Sequence, residues 1–158
     1  MGFFTKPGES AASVLEPLTK ARIQAALESK GWTYKVDSDG DIGGGWEDGF
    51  FYFFTTGRQQ EILLVRGTWY PTLPAADYEK AAEIANQWNL DKLWPKVYAR
   101  RNDDGDVRLH GEHIVDYEHG LTDEQLLQHL VTVISAGCEF FEHLNEQFPE
   151  AAAAAKES

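Results

Sequence analysis

The sequence is poor in cysteine, in basic residues and in long apolar runs, and each shortage excludes a class of protein. Cys138 is the single cysteine, so neither an intramolecular disulfide nor a cluster of thiolate ligands can form. No apolar run approaches the roughly 20 residues that a transmembrane helix needs. Residues 1–6 also lack the basic start and the apolar stretch of a signal peptide. These shortages together predict a cytoplasmic protein that does not associate with a membrane.

Basic residues are strongly outnumbered by acidic ones. Lys and Arg total 14 against 26 Asp and Glu, which gives a formal net charge of −12 at pH 7. Nucleic acids and anionic lipids are held largely through Lys and Arg, so the sequence predicts neither as a partner. In contrast, hydrophobic residues make up 42% of the chain and aromatic residues 13%, which predicts a folded core rather than disorder.

Composition divides the 158 residues into three parts. Residues 1–14 are rich in Gly, Ser, Ala and Pro without periodicity, which predicts a flexible leader. Residues 15–148 carry the periodic patterns and are predicted to form a single domain. Residues 149–158 begin with a proline and are rich in alanine, which predicts a disordered or frayed tail.

Hydrophobic periodicity predicts an α+β fold with the order α-β-β-β-α-β-β-α. Helices are predicted over 18–30, with Thr19 as its N-cap, over 75–88, with Asn89 as a left-handed cap, and from 122 to 148. The predicted strands are 32–36, 50–54, 62–70, 95–101 and 107–117. The glycines 43–45 are interpreted as a permissive connection before the second strand.

The segment 50–54 reads Phe-Phe-Tyr-Phe-Phe and is apolar at every position. Successive side chains of a strand point to opposite faces of its sheet. The run therefore predicts a central strand that is covered on both faces, and we expect it to anchor the fold.

The final helix carries the clearest signal in the chain. Thr122 and Gln125 form a capping box, and apolar residues then repeat at spacings of three and four as far as Phe148. The apolar positions span about half of the helix circumference, which is wider than the stripe of an ordinary surface helix. Either the whole stripe packs on the sheet, or its edge at Val131 contacts a partner.

Two polar segments leave open a small-ligand or divalent-cation-binding domain. The acidic residues between Asp37 and Asp48 imitate the spacing of a calcium-binding loop, but Ile42 stands where such a loop needs glycine. The segment from His110 to His119 offers imidazole and carboxylate ligands. The ligand-bearing residues of the two segments are Asp37, Asp39, Asp41 and Asp48, and His110, Glu112, His113, Asp116 and His119.

Strand geometry argues against a metal site in the second segment. His110 and Glu112 should point to one face and His113 to the other, unless a bulge at Gly111 reverses the order. An acidic hairpin turn and paired or solvated histidines are the favoured interpretations. We therefore predict no bound metal and no cofactor.

The sequence contains no recognisable catalytic constellation. Cys138 lies among apolar residues of the final helix, where a small packing residue is more usual than a nucleophile. The best candidates for protein binding are Trp46, Trp69 and Tyr70, because amphipathic aromatic residues often anchor interfaces. Packing in the core or at the edge of the sheet is the competing interpretation for all three.

Four short motifs suggest a family. They are Ala-Asn-Gln-Trp-Asn at 85–89, Lys-Val-Tyr at 96–98, Asp-Asp-Gly at 103–105 and Gly-Leu-Thr-Asp-Glu-Gln-Leu at 120–126. With these motifs, about residues 15–148 resemble the YbjN family of bacterial proteins, described as sensory transduction regulators with a fold similar to type III secretion chaperones. The resemblance implies an antiparallel five-stranded sheet with helices packed on it, often in a homodimer, and no catalytic residues to carry over.

Composition and resemblance lead to one functional prediction. We expect a cytoplasmic, non-enzymatic interaction or regulatory domain that binds a protein or polypeptide, with a homodimer as one form of that interaction. Fold similarity to chaperones does not by itself establish chaperone activity, because function depends on sites rather than on folds.

Overall fold

The computed structural model describes residues 14–157, so the predicted leader lies outside the described residues except for Val14. The helices are α1 (Lys20–Ser29), α2 (Tyr78–Asp91), α3 (Asp123–Gln147) and α4 (Pro149–Lys156), and a 3₁₀ turn over Ala75–Asp77 precedes α2. The strands are β1 (Lys35–Val36), β2 (Ile42–Trp46), β3 (Gly49–Thr56), β4 (Ile62–Trp69), β5 (Lys96–Arg101) and β6 (Val107–Asp116).

These strands form one antiparallel sheet in the order β1-β2-β3-β4-β6-β5. The α+β class is confirmed, but the sheet has six strands where the sequence predicts five. The additional strand is β2, which contains the glycines 43–45. Glycine has a low strand propensity and shows no alternation, which explains why the pattern hides this strand.

Neighbouring aromatic rings explain why β2 is built from glycine. A Cβ atom at Gly43 would lie 2.6 Å from the ring of Phe50 on β3, and one at Gly45 would lie 2.9 Å from the hydroxyl of Tyr70. Both contacts are too close for a side chain. The glycines of β2 thus make room for Phe50 on the next strand and for Tyr70, which follows β4.

All helices of the described chain pack on one face of the sheet. The ring of Phe51 on β3 lies 5.6 Å from the ring of Phe141 on α3. Residue 137 of α3 is glycine, and a Cβ atom there would lie only 2.7 Å from the Phe51 ring. Trp88 places α2 beside α3 through a ring contact of 5.0 Å with Phe140. A single core therefore lies between the sheet and the helices.

The prediction that 50–54 is covered on both faces is wrong. Phe51 and Phe53 are fully buried beneath the helices, whereas Phe50, Tyr52 and Phe54 on the other face are only partly buried. An apolar run indicates that both faces avoid full exposure, but it does not show that a helix covers each of them.

Capping residues define the starts of α1 and α3 as predicted. The hydroxyl of Thr19 accepts a hydrogen bond from the amide of Arg22 at 3.2 Å. At α3, the amide of Gln125 donates to the Thr122 hydroxyl at 3.1 Å and the Thr122 amide donates to the Gln125 side chain at 2.9 Å. These reciprocal bonds satisfy amide groups that a helix start would otherwise leave unpaired.

Two predicted helix ends need correction. Asn89 is not a left-handed cap, because α2 continues to Asp91 and the Asn89 amide instead bonds both the backbone N–H and C=O of Val97 on β5, each at 2.9 Å. Residues 149–156 form α4 instead of a frayed tail. Alanine is the best helix former, Pro149 suits a first helical position, and the buried Ala152 ties α4 to the core.

Candidate interaction surface

The face of the sheet that carries no helix in the described chain is here called the open face. Residues paired directly across neighbouring strands point to the same side of the sheet, and so do alternate residues along one strand. The open face therefore carries Tyr52, its cross-strand partners and every second residue along the strands from them. Its apolar half consists of Phe50, Tyr52, Phe54, Ile62, Leu64 and Ile114. Its polar half consists of Arg66, Thr68, Lys96, Tyr98, Arg100, Arg108, His110 and Glu112.

Three rings of β3, called the aromatic ladder, run along the apolar half. Phe50 and Tyr52 have ring centroids 4.9 Å apart, and Tyr52 and Phe54 stack at 5.2 Å with an interplanar angle of 16°. Two strands away Ile114 is 45% exposed. Contiguous apolar surface that stays open to solvent is a mark of an interaction site.

The candidate binding residues taken from the sequence fall in different places. Trp69 is 0% exposed and donates its indole N–H to Asn145 at 2.9 Å, so it belongs to the core and offers a partner no surface. Trp46 is half-buried on the helix side, with its ring 5.2 Å from that of Phe51. Tyr70 is 43% exposed and its hydroxyl lies over Gly45, which places it beside the aromatic ladder. Val131 is half-buried on α3, away from the open face.

A buried carboxylate organises the polar half. Glu112 is 5% exposed and accepts hydrogen bonds from Arg66 Nε at 2.6 Å and Tyr98 Oη at 2.6 Å, while Lys96 Nζ lies 2.7 Å from its other oxygen. Burial alone would raise the pKa of Glu112, but these three bonds and the charge of Arg66 outweigh it and lower the pKa to about 2. Glu112 therefore stays ionised and holds three side chains in place.

Two arginines face each other at the end of this polar half. Arg100 and Arg108 are direct cross-strand partners on β5 and β6, and Arg108 Nη1 donates to Thr72 at 3.0 Å. The next residue on the same face, His110, shares a hydrogen bond of 2.9 Å with Thr68. A cavity of about 230 Å³ opens here, lined by Arg100, Asn102, Asp103, Arg108 and His110.

The electrostatic environment of His110 reports the positive potential at this cavity. Burial lowers its pKa to about 4, and the charges of Arg66 and Arg108 act in the same direction. The imidazole is therefore neutral at pH 7. An anion that entered the cavity would meet two guanidinium groups beside a neutral ring.

The histidines of the 110–119 segment are divided between the two faces as strand geometry predicts. Pairing of β6 with β4 continues through Gly111 without a bulge, so His110 and Glu112 lie on the open face and His113 lies on the helix side. There His113 contacts His129 of α3 with ring centroids 4.4 Å apart, and Tyr117 shares a hydrogen bond of 2.9 Å with His129. Burial, followed by the proximity of His113, lowers the pKa of His129 to about 4.

Neither polar segment brings ligands together around one point. Within residues 14–157, no three His, Cys, Asp or Glu side chains are placed so that they could hold a metal ion. In the acidic segment, Asp37 Oδ1 instead accepts the backbone amides of Asp39 and Asp41, both at 2.9 Å, which is the bonding of a turn. Asp41 pairs with Lys20 at 3.2 Å.

Cys138 has the environment of a packing residue. Burial, together with the nearby carboxylates of Asp48 and Glu142, raises the pKa of its thiol to about 11. A thiol that stays protonated at pH 7 is a poor nucleophile. The helices of residues 14–157 also include none that combines the length and the apolar character needed to cross a membrane.

The open face was not predicted from the sequence, although a signal for it lies in the parity of two strands. β4 alternates Leu63, Val65 and Trp69 on one side with Arg66 and Thr68 on the other. β6 repeats the pattern with Arg108, His110 and Glu112 on one side. Polar residues of the same parity on adjacent strands indicate a face that remains in contact with water.

Comparison with known proteins gives one family and one fold. A family model described as "YbjN: Putative bacterial sensory transduction regulator" matches residues 19–146. The solved structure described as "Crystal structure of YbjN, a putative transcription regulator from E. coli" is similar, with a TM-score of 0.74 over 85% of this chain and 96% of that chain. The two sequences are 13% identical, so this likeness shows a shared fold. No curated protein matches the chain.

Proposed function

We propose that this chain, which belongs to the YbjN family, is a non-enzymatic regulatory domain of the cytoplasm that acts by binding another polypeptide. The open face is the proposed binding surface. One observation carries the proposal: the helices of the described chain cover one face of the sheet, while the other exposes an aromatic ladder with Tyr70 and Ile114 beside it.

The energetics of burial favour a partner on this face. Removing apolar surface from water contributes about 25 cal/mol per Å², and aromatic residues are enriched at the centres of protein interfaces. The aromatic ladder and its neighbours are already ordered by ring stacking and by the hydrogen bonds around Glu112. A partner would therefore bind to a preorganised surface and lose little additional conformational entropy on this side.

The titratable groups of the open face support binding rather than catalysis. Glu112 is held ionised by three hydrogen-bonding partners, and burial raises the pKa of Tyr98 to about 12, with Glu112 adding to the increase. A general acid or base works best with a pKa near the working pH. The groups of this network are shifted away from that range, which suits a structural role.

Affinity capture with face-specific variants tests the proposal. The purified chain is immobilised and exposed to a lysate of its own cells, in parallel with the triple variant Tyr52→Ser, Phe54→Ser, Leu64→Ser. We expect proteins that the wild type enriches to be lost with the triple variant. Leu90→Ser and Leu93→Ser serve as matched controls, because both leucines are strongly exposed at the end of α2, outside the open face.

Two results would contradict the proposal. One is a set of captured proteins that the triple variant retains while it still melts cooperatively. The other is loss of the same proteins in the leucine controls, which would move the binding surface to α2. Sedimentation of the chain alone, with and without the triple substitution, shows whether the polypeptide bound on this face is a second copy.

A further inference from the structure

Charge is distributed unequally between the two sides of the molecule. The 25-residue helix α3 contains five carboxylates and no Lys or Arg. On the open face, register places five basic side chains (Lys35, Arg66, Lys96, Arg100 and Arg108) against two carboxylates, Glu112 and Asp116. A chain with a net charge of −12 therefore presents a locally positive surface where its aromatic ladder is exposed.

Arg66 and Lys96 pair with Glu112, but within residues 14–157 three of these basic residues form no ion pair. They are Lys35 on the edge strand β1, and the cross-strand partners Arg100 and Arg108. Like charges directly opposite each other on neighbouring strands are destabilising. Asp103 lines the same cavity but forms no ion pair with either arginine, although acidic residues are abundant in this chain.

We infer that Arg100 and Arg108 bind the carboxylate of an acidic side chain in the polypeptide that docks on the aromatic ladder. The inference rests on the proposed function and specifies its partner. Two guanidinium groups can donate several hydrogen bonds to one carboxylate, and such charge-assisted bonds are about twice as strong as neutral ones. The carboxylate also removes the repulsion between the arginines.

Sheet geometry sets the spacing in that partner. Across the sheet, β3 and β5 are three strand spacings of about 4.8 Å apart, or about 14 Å. The register places Tyr98 level with Phe50, so Arg100 lies two residues further along the strand direction and about 16 Å from Phe50. Because an extended chain covers about 3.3 Å per residue, a segment that crosses the strands would carry its acidic residue about five positions from the aromatic or aliphatic one that contacts Phe50.

Charge complementarity favours a short acidic segment over other occupants. On the polar half only Arg100 and Arg108 are free to neutralise phosphates, whereas complexes with nucleic acid usually use several such contacts. A second copy docked face to face would bring two positive surfaces together. An acidic peptide confined to the open face avoids both penalties.

Selection from random peptides tests the inference with an unbiased set of sequences. A phage-displayed library of short random peptides is selected on the full chain, and the best binder is synthesised with a fluorescent label. We expect an Asp or Glu about five residues from an aromatic or aliphatic residue. Fluorescence polarisation should show at least about a tenfold loss of affinity with Arg100→Gln or Arg108→Gln.

A double-mutant cycle isolates the proposed contact. Replacing the acidic residue of the peptide by its amide should weaken binding to the wild type, yet cause little further loss with Arg108→Gln. Arg58→Gln is the control, because Arg58 is exposed in the turn between β3 and β4. Arg100→Gln should not lower the melting temperature, since it relieves a repulsion in the free protein, whereas Arg108→Gln also loses the hydrogen bond to Thr72.

Five outcomes would overturn the inference, and the first and the last of them leave the proposed function standing. One outcome is a set of peptides that need the aromatic ladder but show no preference for acidic residues, and whose affinity is unchanged by Arg100→Gln and Arg108→Gln. This outcome would overturn the anion site alone. Failure of selection, or binders insensitive to Tyr52→Ser with Phe54→Ser, would overturn both proposals. A labelled single-stranded oligonucleotide that loses affinity with Arg100→Gln and outcompetes the peptide would assign the site to phosphates of nucleic acid. Inorganic phosphate that binds Arg108 by NMR without displacing the peptide would assign it to a free anion.

Discussion

The two faces of β3 carry the same kinds of side chain and have opposite fates. Phe51 and Phe53 point to the helices and are fully buried, while their neighbours Phe50 and Phe54 point away and remain partly exposed. The buried rings contact α3 and β2, whereas Phe50 and Phe54 each contact the ring of Tyr52 that lies between them. The hydrophobicity of a strand therefore indicates that the strand contributes to the core, but it does not show which of its two faces the helices cover.

Charge sharpens the contrast between the two sides. The helix side carries the acidic α3, and the open face carries the paired arginines and the network around Glu112. The total charge of −12 averages these two surfaces and conceals the positive one. A global composition can therefore exclude an all-basic binding protein, but it does not describe the potential of one face.

The largest expected effect is on the helix side. Leu130 is fully buried on α3, and Leu130→Asp should abolish cooperative unfolding, because an unpaired buried carboxylate costs more than about 4 kcal/mol. Val131→Asp is the matched control at the half-buried edge of the same helix, and it should keep the fold. Thermal melts by circular dichroism compare them, and sedimentation shows whether Val131→Asp weakens association. Equal melting losses would mean that the helix edge is as deeply packed as its centre.

Neighbouring positions of β3 give the most direct comparison of the two faces. Phe51→Ala should lower the free energy of unfolding by about 3–5 kcal/mol, because the cavity forms between the sheet and α3. Phe54→Ala on the open face should cost about 1 kcal/mol, since water can occupy the space of the lost ring. Urea denaturation measures both. Similar costs for the two variants would show that the open face is covered in solution.

The pH dependence of stability should separate the two faces by residue. The pKa of His129 is about 4 in the folded protein, against an ordinary histidine pKa near 6.5 in the unfolded chain. As the pH falls below 6.5, His129 therefore becomes protonated in the unfolded chain before it does in the folded protein. Stability is therefore complete above pH 6.5 and should fall by about 2–3 kcal/mol by pH 4. His129→Gln should remove this loss in urea titrations repeated across that range.

His110 provides the open-face counterpart of that measurement. Burial and the neighbouring arginines also lower its pKa to about 4, so His110→Gln should remove a second, separate part of the slope. The double variant should be flatter than either single one. A wild-type slope that survives in all three variants would assign the acid sensitivity to other groups.

A small effect is expected at the β5 edge of the sheet. Asn89→Ala removes two hydrogen bonds to Val97 on the edge strand β5, which should cost about 1–2 kcal/mol and speed hydrogen exchange of the Val97 amide. Asn86→Ala, at an exposed position of the same helix, is the control. Unchanged exchange at Val97 would indicate that the β5 edge is protected by another group.

Local rules predicted α1, α2, α3 and most strands, because the signals of these elements are local. A capping box at Thr122 and an N-cap at Thr19 depend on residues within one turn, so the starts of α3 and α1 could be located from sequence. β2 could not, because its glycines are explained by rings of β3 and Tyr70 that pack over them. Likewise, Asn89 looks like a helix cap until Val97 is placed beside it.

The candidate site shows the same division. Trp69 and Tyr70 are adjacent, and both are amphipathic aromatics, so their types favour the same role. The pleat of β4 sends Trp69 into the core and leaves Tyr70 at the open face. The histidine segment was easier to interpret, since regular alternation along one strand is enough to separate His110 from His113.

Amino-acid order alone was enough to establish the α+β class, the capped helix starts, the strong net negative charge and the absence of an intramolecular disulfide. Each of these depends on composition or on residues close together in the chain. Folding in three dimensions was needed to gather the described helices on one side of the sheet and to bring Arg100 opposite Arg108 without a counter-charge. Those features arise from contacts between distant segments, and the exposed face is created by where the helices do not pack.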